Sequence, residues 1–221
     1  MELFFANVDW LEILQAVIDT LWMLGVSVLF SALIGTPLGI VMYLTSRGHI
    51  LQSGIIYSII SFIVNVLRSI PFIILLIMMM PITILLVGTS LGAKGVIPPL
   101  IVGAFPFFAK LVENALQKID NGIIDMAKSY GATTWQIVWH ILLPETFVNI
   151  LSALTVTAIA LVSYTAMAGV VGGGGLGDLA IRYGYQRFET NIMLITVVLL
   201  VVLVQIIQLI GDKLVGLFKK P

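Results

Sequence analysis

Few residues in this chain are placed to do chemistry. Gly172, Gly174 and Gly177 satisfy the GxGxxG spacing that cradles a dinucleotide pyrophosphate. That site needs a strand ahead of it in a βαβ unit, and here the run follows a long apolar segment, so it reads as a helix break and turn. His49 and His140 each stand alone, and neither His nor Cys accompanies Met78, Met79 and Met80, so no metal-ligand set can be assembled. No carboxylate pair, and no nucleophile with a base beside it, falls at a common depth, which leaves no catalytic residues to name. The phosphate loop GxxxxGK[ST] is missing too, so the chain does not hydrolyse ATP itself. Three features remain. Arg68 is a strongly basic group inside an apolar run. Tyr164, Thr165 and Met167 end another run that also carries Ser152, Thr155, Thr157 and Ser163. The third is a polar, helix-patterned insert, NGIIDMAKSYGATTWQIVWHILLPE, over residues 121–145.

The elements that must position these groups are membrane helices. The 221 residues are 60% hydrophobic and 10% charged, with a mean hydropathy of +1.13, far from the roughly 25% charge of a soluble domain. Eleven basic and eleven acidic residues cancel, so nothing points to nucleic acid. Five stretches approach the roughly 20 apolar residues that cross a bilayer: Leu21 to Leu44, Gly54 to Val87, Val96 to Val112, Thr146 to Val171 and Asn191 to Ile210. The second holds Arg68, Pro71 and Pro81, and Pro71 disfavours helix at Ile70, which predicts a break near Arg68. Part of that stretch, up to Leu67, can lie along the interface. Glu2, Asp9, Glu12 and Asp19 replace the basic start of a secretory signal, so the first apolar run is expected to persist as a span. The reading is one all-α, polytopic membrane domain over residues 1–221.

With the N-terminus outside, the inner segments hold Arg47, Lys110, Lys118, Lys128, Lys213, Lys219 and Lys220, against Lys94, Arg182 and Arg187 outside. That bias favours N-out and C-in and puts residues 113–145 in the cytoplasm. No acidic residue falls inside the five stretches. A proton- or sodium-driven carrier usually holds a buried carboxylate for its ion, so any transport here draws its energy from another molecule. Asp178, Arg182, Arg187 and Glu189 are read as a solvated outer face.

The insert reads as two short helices. The first is capped by Asp120 or Asn121, with Ile123, Met126, Ala127 and Tyr130 on roughly one face and Gly131 as its stop. The second opens with a capping box, Thr133 and Gln136, and carries Trp135, Val138, Trp139 and Leu142 at helical spacing before Pro144. Periodicity alone fits a hairpin resting on lipid as well as one seated in a groove of a soluble partner.

Asp125, Met126 and Ala127, then Gly131, then Ile141, Leu143 and Pro144 in ILLP reproduce the spacing of a known cytoplasmic signature, EAA, three residues, Gly, nine residues, I-x-L-P. The insert thus resembles the coupling segment of ABC importer permeases, with Asp125 in place of Glu and Met126 in place of the first Ala. VLRSIPFIILL (66–76) and LVSYTAMAGVVGGGGLGDLAIRYGY (161–185) extend the resemblance to the permeases of bacterial methionine ABC importers over nearly the whole chain. It implies a type I importer permease fold of about five spans in the bacterial inner membrane, working as a homodimer. It implies two separate ATPase subunits, which bind the ATP and magnesium and dock on Asp125, Met126, Ala127, Tyr130, Gly131, Ile141, Leu143 and Pro144. It implies an extracytoplasmic methionine-binding protein, of lipoprotein type, that delivers L- or D-methionine or close analogues. It further implies a gate near Met167, with Tyr164 and Arg68 along the pathway. A permease for another amino acid or small solute, and a non-conducting scaffold for an ATPase, are the rival readings.

Overall fold

The computed structural model describes residues 9–218; Glu2, Lys219 and Lys220 of the charge count lie outside them. Among the described residues the chain is helical with no strand. Helix α1, Trp10–Thr45, opens where Asp9 accepts the amides of Leu11 and Glu12 at 3.0 and 3.3 Å. Its 36 residues span about 54 Å, well beyond the roughly 30 Å of hydrocarbon. It begins eleven residues before the expected Leu21, and so takes Glu12 and Asp19 into the helix. Helix α2, Gly54–Ser69, and α3, Phe72–Val87, meet at 107°. The predicted break therefore falls where expected: Ile70 is extended (φ −79°, ψ 123°), the conformation that the following Pro71 imposes. Helix α4, Gly92–Leu116, leads to the short α5, Asn121–Ser129, and α6, Thr134–Ile137. A widened turn, Val138–Leu142, joins α6 to α7, Leu143–Ala168. After the glycine-rich turn come α8, Gly175–Leu179, a second widened turn, Ala180–Tyr185, and α9, Thr190–Phe218. Among the described residues four helical stretches are long and apolar enough to cross a membrane, or five crossings if the bent pair α2–α3 is one broken span.

Inside lipid, burying apolar surface gains little, so close backbone approach holds helices together. The most extensive helix pairing is α1 with α4. Gly35 and Gly39 lie one turn apart on α1, and a Cβ on Gly39 would sit 2.5 Å from the Ala109 carbonyl oxygen and 2.7 Å from Val112. Toward one end of the bundle these helices share a core with the insert: Tyr43, Phe108, Val112, Leu116, Ile124, Ile137, Val138 and Leu142 are all buried together. Toward the other end Met23, Phe72, Leu76, Val96, Leu100, Leu161 and Ala168 form a second core.

The glycine run 172–177 is a packed structural turn. Gly172, Gly174 and Gly175 have φ of +77°, +75° and +75°, a region that only glycine adopts freely. Gly92 N–H donates to the Gly172 carbonyl at 2.9 Å, and Leu176 N–H donates to Thr20 Oγ1 at 2.9 Å, which ties the turn to α4 and α1. Asp178 and Arg182 beside it are no loose solvated face. Arg182 bridges Glu12 of α1 at 2.9 Å and Asp178 at 3.0 Å, and Arg182 and Arg187 both lie over the Tyr183 ring.

Candidate functional site

The polar insert is built by local rules. Asp120 accepts Gly122 N–H at 2.9 Å and starts α5. At the other end Gly131 has φ +78°. Gly131 N–H donates to Lys128 O at 2.9 Å, and Ala132 N–H to Ala127 O at 3.1 Å. This pairing, with glycine in the left-handed position, closes the orphan carbonyls of the helix. One residue later the capping box is complete: Gln136 N–H donates to Thr133 Oγ1 at 3.3 Å, and Thr133 N–H donates to Gln136 Oε1 at 2.8 Å. Pro144 stands at the entry to the next span, as the sequence suggested, and the second helix does not end before it. It continues into α7 through the widened turn, where Leu143 N–H reaches back five residues to Val138 O. Pro144, with no N–H to give, sits at the second position of α7.

The two faces of the insert divide differently from the expected pattern. Ile124 and Ala127 turn inward and join the core with Leu116, Ile137, Val138 and Leu142. Ile123, Met126 and Tyr130 turn outward, with Tyr130 85% and Met126 57% exposed. Ala127 therefore does not share the face of Met126 and Tyr130. Asp125 is also exposed, paired to Lys128 at 3.3 Å. Trp135 and Trp139 are exposed and pack edge to face, with centroids 5.4 Å apart, while Val138 and Leu142 of the same predicted stripe are buried. Ile141 and Leu143 are half-buried and Pro144 exposed. Tyr130, Gly131, Gln136, His140 and Ile141 rim an open hollow of about 490 Å³.

Behind the insert lies a group that sequence reasoning missed. Glu113 was expected just outside a span, but α4 runs on to Leu116 and Glu113 is fully buried. Its carboxylate takes Lys110 Nζ at 2.6 Å, Tyr57 OH at 3.1 Å and Gln117 Nε2 at 3.3 Å. An acidic residue inside a helix thus does not imply an ion-coupling site here, because the charge is answered within the protein. His49, in the loop between α1 and α2, lies against Tyr43 with ring centroids 4.1 Å apart. Burial, then the nearby Lys128 ammonium, holds its pKa below the usual imidazole range.

The expected gate residues come together in part. Arg68, Tyr164, Phe72, Phe107 and Gly103 line one cavity of about 120 Å³. The Arg68 guanidinium lies 6.0 Å from the Phe107 ring centroid, and Phe72 stacks on Tyr164 at 4.5 Å. Met167, one turn further along α7, is outside that lining and 47% exposed. The α7 hydroxyls bond within their own helix: Thr155, Thr157 and Thr165 donate to Leu151, Ala153 and Val162 carbonyls. Among the described residues no group of three or more His, Asp or Glu could hold a metal ion.

Residues 35–220 match the family model described as "binding-protein-dependent transport system inner membrane component". The chain is 46% identical over 203 residues to the probable D-methionine transport system permease protein MetI of Vibrio cholerae, with 92% of this chain and 90% of that protein covered. It is 44% identical over 219 residues to the methionine import system permease protein MetP of Bacillus subtilis, with 99% of each covered. A crystal structure of the MetNI methionine ABC transporter, in an inward-facing conformation, matches with a TM-score of 0.94 at 45% identity, over 96% of this chain and 98% of that one. An amino acid ABC transporter matches with a TM-score of 0.67 at 20% identity, which speaks to the fold alone. The chain belongs to the family of inner-membrane components of binding-protein-dependent transport systems, and within it to the permease subunits of ABC importers rather than to their ATPases.

Proposed function

We propose that this chain is the membrane-spanning subunit of an importer that carries methionine into the cell, with two copies enclosing the passage. Its N-terminus lies outside and its C-terminus in the cytoplasm, in accord with the distribution of Lys and Arg. Two separate ATPase subunits, holding ATP and magnesium, dock on the outward face of the insert around Asp125, Met126, Tyr130, Gly131 and the rim formed by Ile141. A binding protein, of lipoprotein type, delivers the amino acid at the glycine-rich end.

One observation carries the mechanical part of this reading: the insert is two-sided. Its outer face is free for a partner, while its inner face is packed into one core with the ends of α1, α4 and α7. A closely packed core moves as a unit, so a displacement imposed on α5 by a closing ATPase is handed to the spans. Ala127 serves from the inner side, and Leu143 and Pro144 carry the motion into α7, on which Tyr164 and Met167 ride. Met167 then acts as the plug against its counterpart in the second copy, an apolar and flexible side chain suited to opening and resealing. The coupling energy comes from the different contacts the ATPase makes in its two states. The names of the relatives support methionine as the cargo.

The test is ATP-dependent uptake of labelled methionine into proteoliposomes that hold this permease with its ATPase, supplied with the binding protein. Uptake that unlabelled D- or L-methionine suppresses supports the reading. Robust ATP hydrolysis with no competition by methionine removes the substrate assignment.

A further inference from the structure

Helix α2 is an unusual membrane helix: of its 16 residues only Val64 is buried. Tyr57 meets Glu113 of α4, and the buried Val64, seven residues on, lies on the same face of the helix. The two flanks beside that contact differ completely. On one, Ile56, Ile59, Ile63 and Val66 are exposed and purely apolar, a surface that lipid can cover. On the other, Ser58, Ser61, Asn65 and Arg68 follow at intervals of three, four and three residues, which places them in one stripe.

The stripe is poorly answered from within the chain. Asn65 Nδ2 donates to Ser61 Oγ at a long 3.4 Å. Arg68 has no carboxylate partner among the described residues, only the face of Phe107 at 6.0 Å. A row of amide, hydroxyl and guanidinium groups in contact with hydrocarbon is strongly disfavoured, so such groups in a membrane face water or other polar groups. The ends of the stripe fix what it borders. Ser58 lines an open hollow of about 550 Å³ with Arg47, His49, Tyr57 and Gln117. Arg68 lines the cavity that contains Tyr164. The ten residue steps from Ser58 to Arg68 cover about 15 Å along the helix axis, half the thickness of the hydrocarbon layer.

We infer that the stripe Ser58, Ser61, Asn65 and Arg68 is the wetted wall of the solute passage between the Tyr164 cavity and the coupling-insert end, and that it hydrogen-bonds a zwitterionic amino acid in transit. The inference rests on the reading of the chain as a transport permease. Arg68 meets the carboxylate at the upper step; the serines and Asn65 then offer neutral donors and acceptors, which hold a zwitterion weakly enough to let it leave. Tyr164 and Phe72 supply an apolar wall beside Arg68 for the side chain.

The chain contains no cysteine, so single thiols report on single positions. Ser58→Cys, Ser61→Cys and Asn65→Cys on the stripe, and Ile56→Cys, Ile59→Cys and Ile63→Cys on the opposite flank, are introduced one at a time. Each variant is assembled with its ATPase in proteoliposomes and treated with a membrane-impermeant, charged thiosulfonate. Thiolates form in water and not in hydrocarbon, so the stripe is expected to react at least about tenfold faster than the flank. Excess free methionine slows the stripe alone. Equal reactivity on both flanks overturns the inference. So does a silent stripe that forms disulfides between two copies, because that stripe is a protein contact. The labelling pattern does not depend on which solute is carried; if wild-type complex takes up a different amino acid, the cargo assignment fails while the wall stands.

Discussion

At the scale of single residues, the positions that matter most are those where the backbone or a charge has no alternative. Gly131 holds φ at +78° with open space where a Cβ would stand, so the obstacle to substitution is conformational and not steric. Gly131→Val is expected to cost about 1–2 kcal/mol locally, unwinding the end of α5. Co-purification of the ATPase with the variant reads this out, and full assembly with wild-type uptake would remove Gly131 from the coupling apparatus. His49 adds a pH dependence. Its folded pKa lies below its unfolded value of about 6.5, because burial and Lys128 disfavour the imidazolium. Above that pH the residue is neutral in both states and costs nothing. As pH falls below it, the unfolded chain takes up a proton that the folded chain resists, and stability declines toward the lower folded pKa. Thermal unfolding of the complex between about pH 7.5 and 5.5 should therefore show an acid loss that His49→Gln reduces. An unchanged slope in that variant places the acid sensitivity elsewhere.

The elements were legible in the sequence to the extent that local rules govern them. The break at Ile70–Pro71, the capping box at Thr133 and the stop at Gly131 are contests settled within a few residues, and each was readable. Long-range answers were not. Glu113 looked like the edge of a span because a charge normally ends one, and nothing near it in the chain announces Tyr57, 56 residues away, as its partner. The same applies to Glu12, answered by Arg182 at a separation of 170. In α5, Ile123, Ile124, Met126 and Ala127 share one broad face, so periodicity could not choose between Ile123 and Ile124 for the core. Helix packing leaves its own trace in small residues. Gly39→Val at the α1–α4 contact pushes against the Ala109 backbone, which cannot rotate away. Overpacking of this kind costs about 1–3 kcal/mol and should lower the thermal midpoint of the detergent-purified protein. Gly25→Val, where nothing lies within 4 Å, serves as the control on the same helix, and equal shifts in both would mean that α1 and α4 do not approach as closely as their glycines indicate.

For the whole molecule, the question is whether the insert is a lever or a hairpin resting on lipid, and its two faces give opposite predictions for the same chemical change. Ile124 is 3% exposed within the core shared by α1, α4 and α7, whereas Tyr130 is 85% exposed. Ile124→Asp buries a charge with no partner in that core and should cost about 3 kcal/mol or more, which would appear as poor recovery and a lowered thermal midpoint in the isolated permease. Tyr130→Asp touches no core residue and should leave that midpoint within about 0.5 kcal/mol of wild type, yet abolish binding of the ATPase and with it ATP-driven uptake. A hairpin lying on lipid reverses the second expectation: the aspartate would pull that face off the membrane and leave the ATPase bound. Measuring midpoint, ATPase retention and uptake for both variants separates the two arrangements, because only a lever requires one face to hold the fold and the other to hold the motor.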